Sequence, residues 1–303
     1  MGKVLILGVF VADTAYRASR MPEMGETILG KSFALGPGGK GSNQAVAAGK
    51  LGAETTIISR LGDDDFGKLA TQIWKSANVN PAISYSKNSY TGAAFIFVDD
   101  KTGDNAIIIS PGAGAELSTS DVEDNSDLFA KTDIFLTQLE QPVSIAFEAL
   151  KAAKRFKKTT ILNPAPAIKL PSEIFQFCDY ITPNETEAEA ITGLKVQTES
   201  EAAKAAQKLA DLGVREPIIT LGDKGAFLFK HGIIPAFAAG PVLETTGAGD
   251  AFNGAFAVAI SEGKSSLEAV RFGCATASIS VTRAGTASSM PNRSEVEKLL
   301  NGN

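Results

Sequence analysis

The chain is poor in the residues that build covalent frameworks and soft-metal sites. Among 303 residues there are two cysteines, one histidine and one tryptophan. Cys178 and Cys274 lie far apart in apolar sequence. That excludes a disulfide framework and predicts buried, reduced thiols. The only histidine, His231, falls in what reads as a hairpin turn, so a zinc site is excluded as well. Long hydrophobic runs are also missing. Met1 to Val11 is apolar but short, with no cleavage-site pattern after it, and the run around Ala255 to Ile260 is too short to span a bilayer. Positive charge is not in excess: the formal net charge is −5. The densest basic cluster, Lys154, Arg155, Lys157 and Lys158, reads as a helix C-terminus complementing its dipole. Nucleic acid and membrane are therefore not expected partners, and a cytoplasmic setting is expected. Neither an internal repeat nor a low-complexity linker is found.

What is present is a large apolar fraction, 44%, arranged in alternating segments. Val4 to Val9 is a continuous aliphatic run and reads as a buried parallel strand. A helix follows from Gly38 to Leu51, then a strand from Thr55 to Ser59 and a helix from Asp64 to Ala77. The order recurs with a strand at Asp133 to Leu136, a helix at Val143 to Phe156 and a strand at Thr159 to Leu162. Tyr180 to Thr182 ends a strand before a helix at Glu185 to Ile191, and Pro217 to Leu221 is a further strand. Helices are expected at 248–262, 265–281 and 294–300, the small residues Ala251, Ala255, Ala257 and Ala259 allowing close packing. This is the pattern of an α/β fold with an open, mostly parallel sheet flanked by helices. In such sheets ligands bind at the carboxyl ends of strands. Two regions break the alternation. Asp13 to Leu35 holds no convincing helix, and Thr91 to Ser110 reads as two strands joined by a hairpin over 99–104. Together they predict a small separate sheet, which needs a cover from the site or from another subunit.

Two glycine-rich segments carry the chemistry. Thr245-Thr246-Gly247-Ala248-Gly249-Asp250 leads into an apolar helix. Bare N–H groups at the positive end of a helix hold anions, and a carboxylate beside them can accept a proton, which suits phosphoryl transfer to a hydroxyl. The alternative is that Asp250 only caps the helix. The second segment is Gly36-Pro37-Gly38-Gly39-Lys40-Gly41-Ser42-Asn43-Gln44. It is not a Walker loop, because Ala34 and Gly41 stand where that motif needs Gly and Ser or Thr. It leaves a Gly-Gly joint, a lysine and an asparagine that could meet a polyhydroxyl ligand, or a helix start that needs glycine only to turn.

In these segments and others the chain resembles the ribokinase-like (PfkB) carbohydrate kinases, and among them the ribokinases. Gly38 to Gly49, Gly62-Asp63-Asp64-Asp65-Phe66-Gly67, Gln138-Leu139-Glu140 and Leu162 to Pro166 match in family order. So do Ile181 to Glu189, Thr220-Leu221-Gly222 and Gly247 to Ala255. The resemblance implies the ribokinase-like fold with a β-sheet lid: a main domain of residues 1–12, 36–90 and 111–303, and a lid of 13–35 and 91–110, through which a homodimer would form. It implies an ATP-dependent sugar kinase with Asp250 as general base and Gly247, Ala248 and Gly249 at the transferred group. Asn184 and Glu187 would organise Mg²⁺ and phosphates, in part through water, and Thr220 and Gly222 would contact the nucleotide. Asn184 and Glu187 also fit a helix capping pair, and both readings can hold at once. On the sugar side it implies Val11, Asp13, Gly39, Lys40, Asn43 and Glu140. A monovalent cation, K⁺, would sit at Glu244, Thr246, Ser280, Arg283, Gly285 and Ser289.

Two positions depart from the family pattern. Val11 stands where a sugar-contacting Asn is usual, and Glu244 where Asp is usual. A Val cannot pair a hydroxyl, so 2-deoxyribose is the alternative to ribose, followed by fructose or a nucleoside. Glu244 keeps the charge on a longer stem, and K⁺ activation is expected to survive. A non-catalytic sugar-binding regulator is the rival from another class. A nicotinamide dehydrogenase is disfavoured because Gly8-Val9-Phe10-Val11 lacks the glycine spacing.

Overall fold

Val4-Leu5-Ile6-Leu7 has no polar face to offer water, and the chain buries it on both sides. It forms β1 (Lys3–Leu7), an inner strand of a nine-stranded sheet. The structure is a computed structural model and describes residues 1–302. After β1 come β2 (Val11–Ala18), β3 (Ser32–Gly38), α1 (Lys40–Lys50), β4 (Glu54–Gly62), α2 (Asp65–Ser76) and β5 (Val79–Ser86). The middle of the chain gives β6 (Thr91–Asp99), β7 (Asn105–Gly112), α3 (Thr119–Glu123), α4 (Ser126–Lys131), β8 (Ile134–Thr137), α5 (Val143–Arg155), β9 (Thr159–Leu162) and β10 (Tyr180–Ile181). The remainder holds α6 (Glu185–Thr192), α7 (Glu199–Asp211), β11 (Glu216–Thr220), β12 (Ala226–Leu228), β13 (Gly232–Ile234), α8 (Ala248–Ser261), α9 (Ser266–Ser280) and α10 (Arg293–Asn301).

The large sheet has the order β13-β12-β11-β10-β9-β8-β1-β4-β5. Strands β11 to β5 in that order pair in parallel, and the β12–β13 hairpin closes one edge antiparallel, with His231 in its turn. From β1 the chain moves outward one way to β4 and β5, and later the other way from β8 to β11. The strand order therefore reverses between β1 and β8, the place where an open α/β sheet forms its binding crevice. One face is covered by α1, α8 and α9, with Phe252, Phe256, Phe272 and Trp74 in its core. The other is covered by α5, with Phe129, Phe135 and Leu150. Helices α1 and α8 lie unusually close. A Cβ at Gly254 would sit 2.6 Å from the Gln44 carbonyl oxygen and 2.7 Å from Ala47 Cβ, so only glycine permits the approach. This contact presses the start of α8 against the start of α1. Ala251, Ala255, Ala257 and Ala259 are all fully buried, as their size predicts.

The two irregular regions pair as a separate four-stranded sheet, β3-β2-β6-β7. β2 runs parallel to β6, and the other two pairings are antiparallel. The 99–104 link is a hairpin closed by Asp99 and Asp104. The strands reach further than the sequence predicts, β2 beginning at Val11 and β3 ending at Gly38, because Val11 and Gly38 still pair. Strand β5 and helices α3, α4 and α7 lie outside the elements expected from the sequence. β5 is the edge of the large sheet, half exposed and carrying Pro81, which edges tolerate. α7 turns mainly alanines inward and so lacks a strong apolar stripe. The basic cluster does end a helix: Lys154 and Arg155 form the last turn of α5, and Lys154 pairs with Asp179 at 2.5 Å. Both cysteines are buried and unpaired. Among the described residues no helix is long and apolar enough to cross a membrane.

Candidate active site

The crevice between β1 and β8 is filled by the start of α1. A Cβ on Gly8, just past β1, would meet Gly41 Cα at 2.6 Å and Gln138 Oε1 at 2.5 Å. Bare glycine at both positions lets the helix start seat against the strand ends. Gly39 makes the turn with φ +86°, a conformation other residues adopt with strain, and a Cβ there would strike the Val9 carbonyl oxygen at 2.5 Å. The Lys40 N–H at the first turn of α1 donates to Glu140 Oε2 at 2.7 Å. Glu140 follows β8, so the helix dipole and the loop carboxylate face each other across the switch point.

Asp250 lies at the start of α8, buried, where that helix meets α1. The capping alternative does not hold: Gly247 is the cap residue, in the left-handed conformation, and no side chain caps the helix. The carboxylate is held instead by side-chain amides. Asn43 Nδ2 donates to Oδ2 and Gln44 Nε2 to Oδ1, each at 3.0 Å. Burial raises the pKa of Asp250, while the Lys40 charge and the two amides oppose that rise. Lys40 is half-buried; burial alone would lower its pKa, yet the charges of Asp250, Glu140 and Glu187 outweigh it and hold the ammonium above its usual value. Glu140 is pushed up to about 7 by burial, with the Lys40 charge pulling the other way.

A cavity of about 160 Å³ opens beside Asp250. Lys40, Asn184, Glu187, Thr220, Gly247 and Gly249 are among its lining residues. The Ala248 N–H donates to the Thr245 carbonyl at 3.2 Å. At this helix end the N–H groups of Gly247, Gly249 and Asp250 are without a backbone partner among the described residues. Nothing would obstruct even a Cβ at Gly249. Asn184 and Glu187 form a full capping box at α6, Oδ1 accepting the Glu187 N–H at 2.8 Å and Glu187 Oε2 accepting the Asn184 N–H at 2.9 Å. That leaves Glu187 Oε1 for the cavity, and burial raises the pKa of the group. Thr220 ends β11 beside Asn184, whereas Gly222 lies outside the cavity lining, in an exposed turn with φ +57°.

Asp13 and Val11 project from one face of β2, two residues apart. The Asp13 carboxylate lies over Gly38, where a Cβ would be 2.3 Å from Oδ2. Burial, and then the Glu244 charge, raise Asp13 to about 6. Val11 is buried within an apolar cluster that includes Val9 and Ala94. Glu244 Oε2 accepts the Gly285 N–H at 2.8 Å, and its own N–H donates to the Val281 carbonyl. Ser280 and Ser289 spend their hydroxyls on the Ala277 and Thr286 carbonyls, and Arg283 binds Glu295. A hydroxyl that donates its proton keeps its lone pairs, so the serine oxygens remain able to face a cation alongside the backbone carbonyls and Glu244. Thr246 lies outside the cavity lining. Among the described residues no group of three or more His, Cys, Asp or Glu side chains is placed to hold a metal.

The structure adds residues that sequence reasoning had quoted without a role. Gln44, Gln138, Asn163, Thr182 and Asn253 are all buried and linked by hydrogen bonds under Asp250. The available signal was polar residues inside otherwise apolar helix and strand-end runs, such as Asn43-Gln44 before Ala45-Val46-Ala47-Ala48.

Residues 1–293 match the pfkB family carbohydrate kinase. The chain is 41% identical over 299 residues to the ribokinase of Haemophilus influenzae, covering 97% of each chain. It is 33% identical over 305 residues to a deoxyribokinase of Salmonella typhi, covering 99% of each. A solved structure of Arabidopsis thaliana ribokinase complexed with ribose and ATP superposes with a TM-score of 0.93 at 35% identity, covering 99% of both chains.

Proposed function

The chain belongs to the pfkB family of carbohydrate kinases and is an ATP-dependent sugar kinase, and we propose that its substrate is ribose or a close pentose, phosphorylated at the hydroxymethyl group. The observation that carries the mechanism is Asp250: a buried carboxylate, oriented by two amides, at a helix N-terminus whose free N–H groups line the same cavity. Asp250 takes the hydroxyl proton as that oxygen attacks the γ-phosphate. The N–H groups of Gly247 and Gly249 and the Lys40 ammonium stabilise the charge that develops on the transferred group. Asp13, Asn43, Glu140 and Gly39 hold the sugar hydroxyls.

Asn184 and Glu187 offer oxygen donors of the kind Mg²⁺ prefers, and a sparse protein set is normal for an ion that keeps waters and phosphate oxygens. Bound there, Mg²⁺ supplies charge neutralisation on the phosphates. Glu244 and the carbonyls around Gly285 fit K⁺ in the same sense. Exchanging K⁺ for a bulky organic cation in the assay should lower turnover several-fold; equal turnover with and without K⁺ would remove this site. Tyr16, Phe33, Leu35 and Ile108 are exposed and share one face of the small sheet by register, which supports a homodimer through that face. Reduced thiols and ATP use agree with a cytoplasmic setting.

Val11 favours a second reading, 2-deoxyribose. A ribose hydroxyl left unpaired against Val11 costs about 1–3 kcal/mol, and an apolar pocket rejects an added hydroxyl only modestly. ATP consumption should be compared across ribose, 2-deoxyribose, fructose and nucleosides. We expect the two pentoses to lead, and Val11→Asn to shift the preference toward ribose by about tenfold. A strong preference for a nucleoside would overturn the pentose assignment.

A further inference from the structure

We infer that Gln44 is a positioning residue for phosphoryl transfer: its buried amide fixes the orientation of Asp250 and ties that carboxylate to the carboxyl ends of β8, β9 and β10. The inference rests on Asp250 acting as the base. Gln44 is fully buried on α1 among alanines, where an unpaired amide would be costly. Every polar atom of the amide is used. Nε2 donates to Asp250 Oδ1 and to Asn163 Oδ1, both at 3.0 Å, and Oε1 accepts from Gln138 Nε2 at 2.5 Å.

The partners fix which way the amide points. The ionised carboxylate of Asp250 can only accept, so the NH₂ of Gln44 must face it and Oε1 is left for Gln138. Asn163, past β9, donates to the Thr182 carbonyl past β10, and Thr182 Oγ1 donates to Asn253 Oδ1 on α8 itself, at 2.6 Å. Asn253 Nδ2 then returns to the Gly249 carbonyl at 2.8 Å. The chain of bonds starts at Asp250, crosses the ends of β9 and β10, with Gln138 after β8 as a side branch, and comes back one residue before it. Such a loop holds Oδ1 as an acceptor and leaves Oδ2, shared only with Asn43, for the incoming hydroxyl. The charged groups that act on Asp250 are Lys40 from α1, Glu140 after β8 and Glu187 from α6. Gln44, like Asn43, is a neutral donor among them, and it favours the ionised form of the base without adding a charge.

The test is turnover as a function of pH for Gln44→Leu and Gln44→Glu, each made in the native and in the Asp250→Asn background. Gln44→Leu should lose about 10²-fold in kcat with both KM values little changed, and its acid limb should move to higher pH. Gln44→Glu keeps the volume and so the fold, and its turnover should fall as pH rises and the new carboxylate ionises beside Asp250. In the Asp250→Asn background Gln44→Leu should cost little more. Native turnover and pH profile in both Gln44 variants, or an equal loss in both backgrounds, would overturn the positioning role. Native turnover in Asp250→Asn alone would instead overturn the base assignment on which it rests. If Gln44→Leu does not fold, the pH profile of Gln44→Glu decides.

Discussion

Replacing Asp250 by asparagine should lower kcat by about 10²–10⁴-fold, the usual contribution of a positioned base. Asparagine has the same shape; its Oδ1 can still accept from Gln44, and its NH₂ can meet Asn43 once that amide flips to present its unpartnered Oδ1, but it cannot take a proton from a hydroxyl. The KM values should move little, because most of the proposed sugar- and phosphate-binding groups are on other residues. The same substitution should not destabilise the protein. Burial raises the pKa of Asp250, which means the folded state penalises its charge. A neutral amide removes that penalty, so the melting temperature near pH 7 should be equal or higher. Activity and stability thus move in different directions, as expected where a site keeps a strained charge for chemistry. In the native enzyme turnover should rise with pH as the carboxyl loses its proton. Steady-state rates and thermal melts on one preparation check both parts, and undiminished turnover in the variant would reject Asp250 as the base.

Where one physical constraint dominated, the fold was legible in the sequence. The Val4–Leu7 run could only be an inner strand, and the 91–110 pattern could only be a hairpin. Glycine clusters were legible as turns and an anion cradle, but not as the close approaches that some glycines also serve. Gly8 against Gly41 and Gly254 against Gln44 are contacts between segments far apart in sequence. Strand β5 carries polar and proline residues because it is an edge, and only the finished sheet identifies the edge. At the site, the glycine run before Asp250 announced an anion cradle, but left the cap reading open. What closed it was Gly247 as the cap and the amides of Asn43 and Gln44 on the carboxylate, all of which depend on α1 and α8 packing together. The Asn184–Glu187 pair fulfils its structural reading completely, which shows that a satisfied cap and a cavity-facing carboxylate are compatible on one residue.

Lys40→Met should be the second most damaging change, with a loss of about 10²–10³-fold in kcat, comparable to removing one preorganised donor from a transition-state site. The Lys40 charge acts on Asp250, Glu140 and Glu187 together. Without it, burial and the carboxylates' mutual repulsion are opposed only by hydrogen bonds, and each pKa should rise further. Asp250 then holds its proton to higher pH, so the acid limb of the rate profile moves upward. Stability should respond with a definite sign. Glu140 already stands at about 7 against an ordinary value of 4.5. The native state therefore binds more protons than the unfolded chain between those values, and stability falls as pH rises through them. Loss of Lys40 should widen that window upward and steepen the fall, so the variant should match the native protein best near pH 5 and lag most above pH 7. Lys40→Arg keeps the charge on a bulkier, forked head. It should restore the pH profile and the stability while recovering only part of kcat, because a guanidinium does not place the same point charge beside the phosphate. Rate profiles and melting curves from about pH 5 to 9 separate the two contributions of this lysine. A methionine variant with the native pH dependence in both would mean that the three carboxylates are balanced by something other than Lys40.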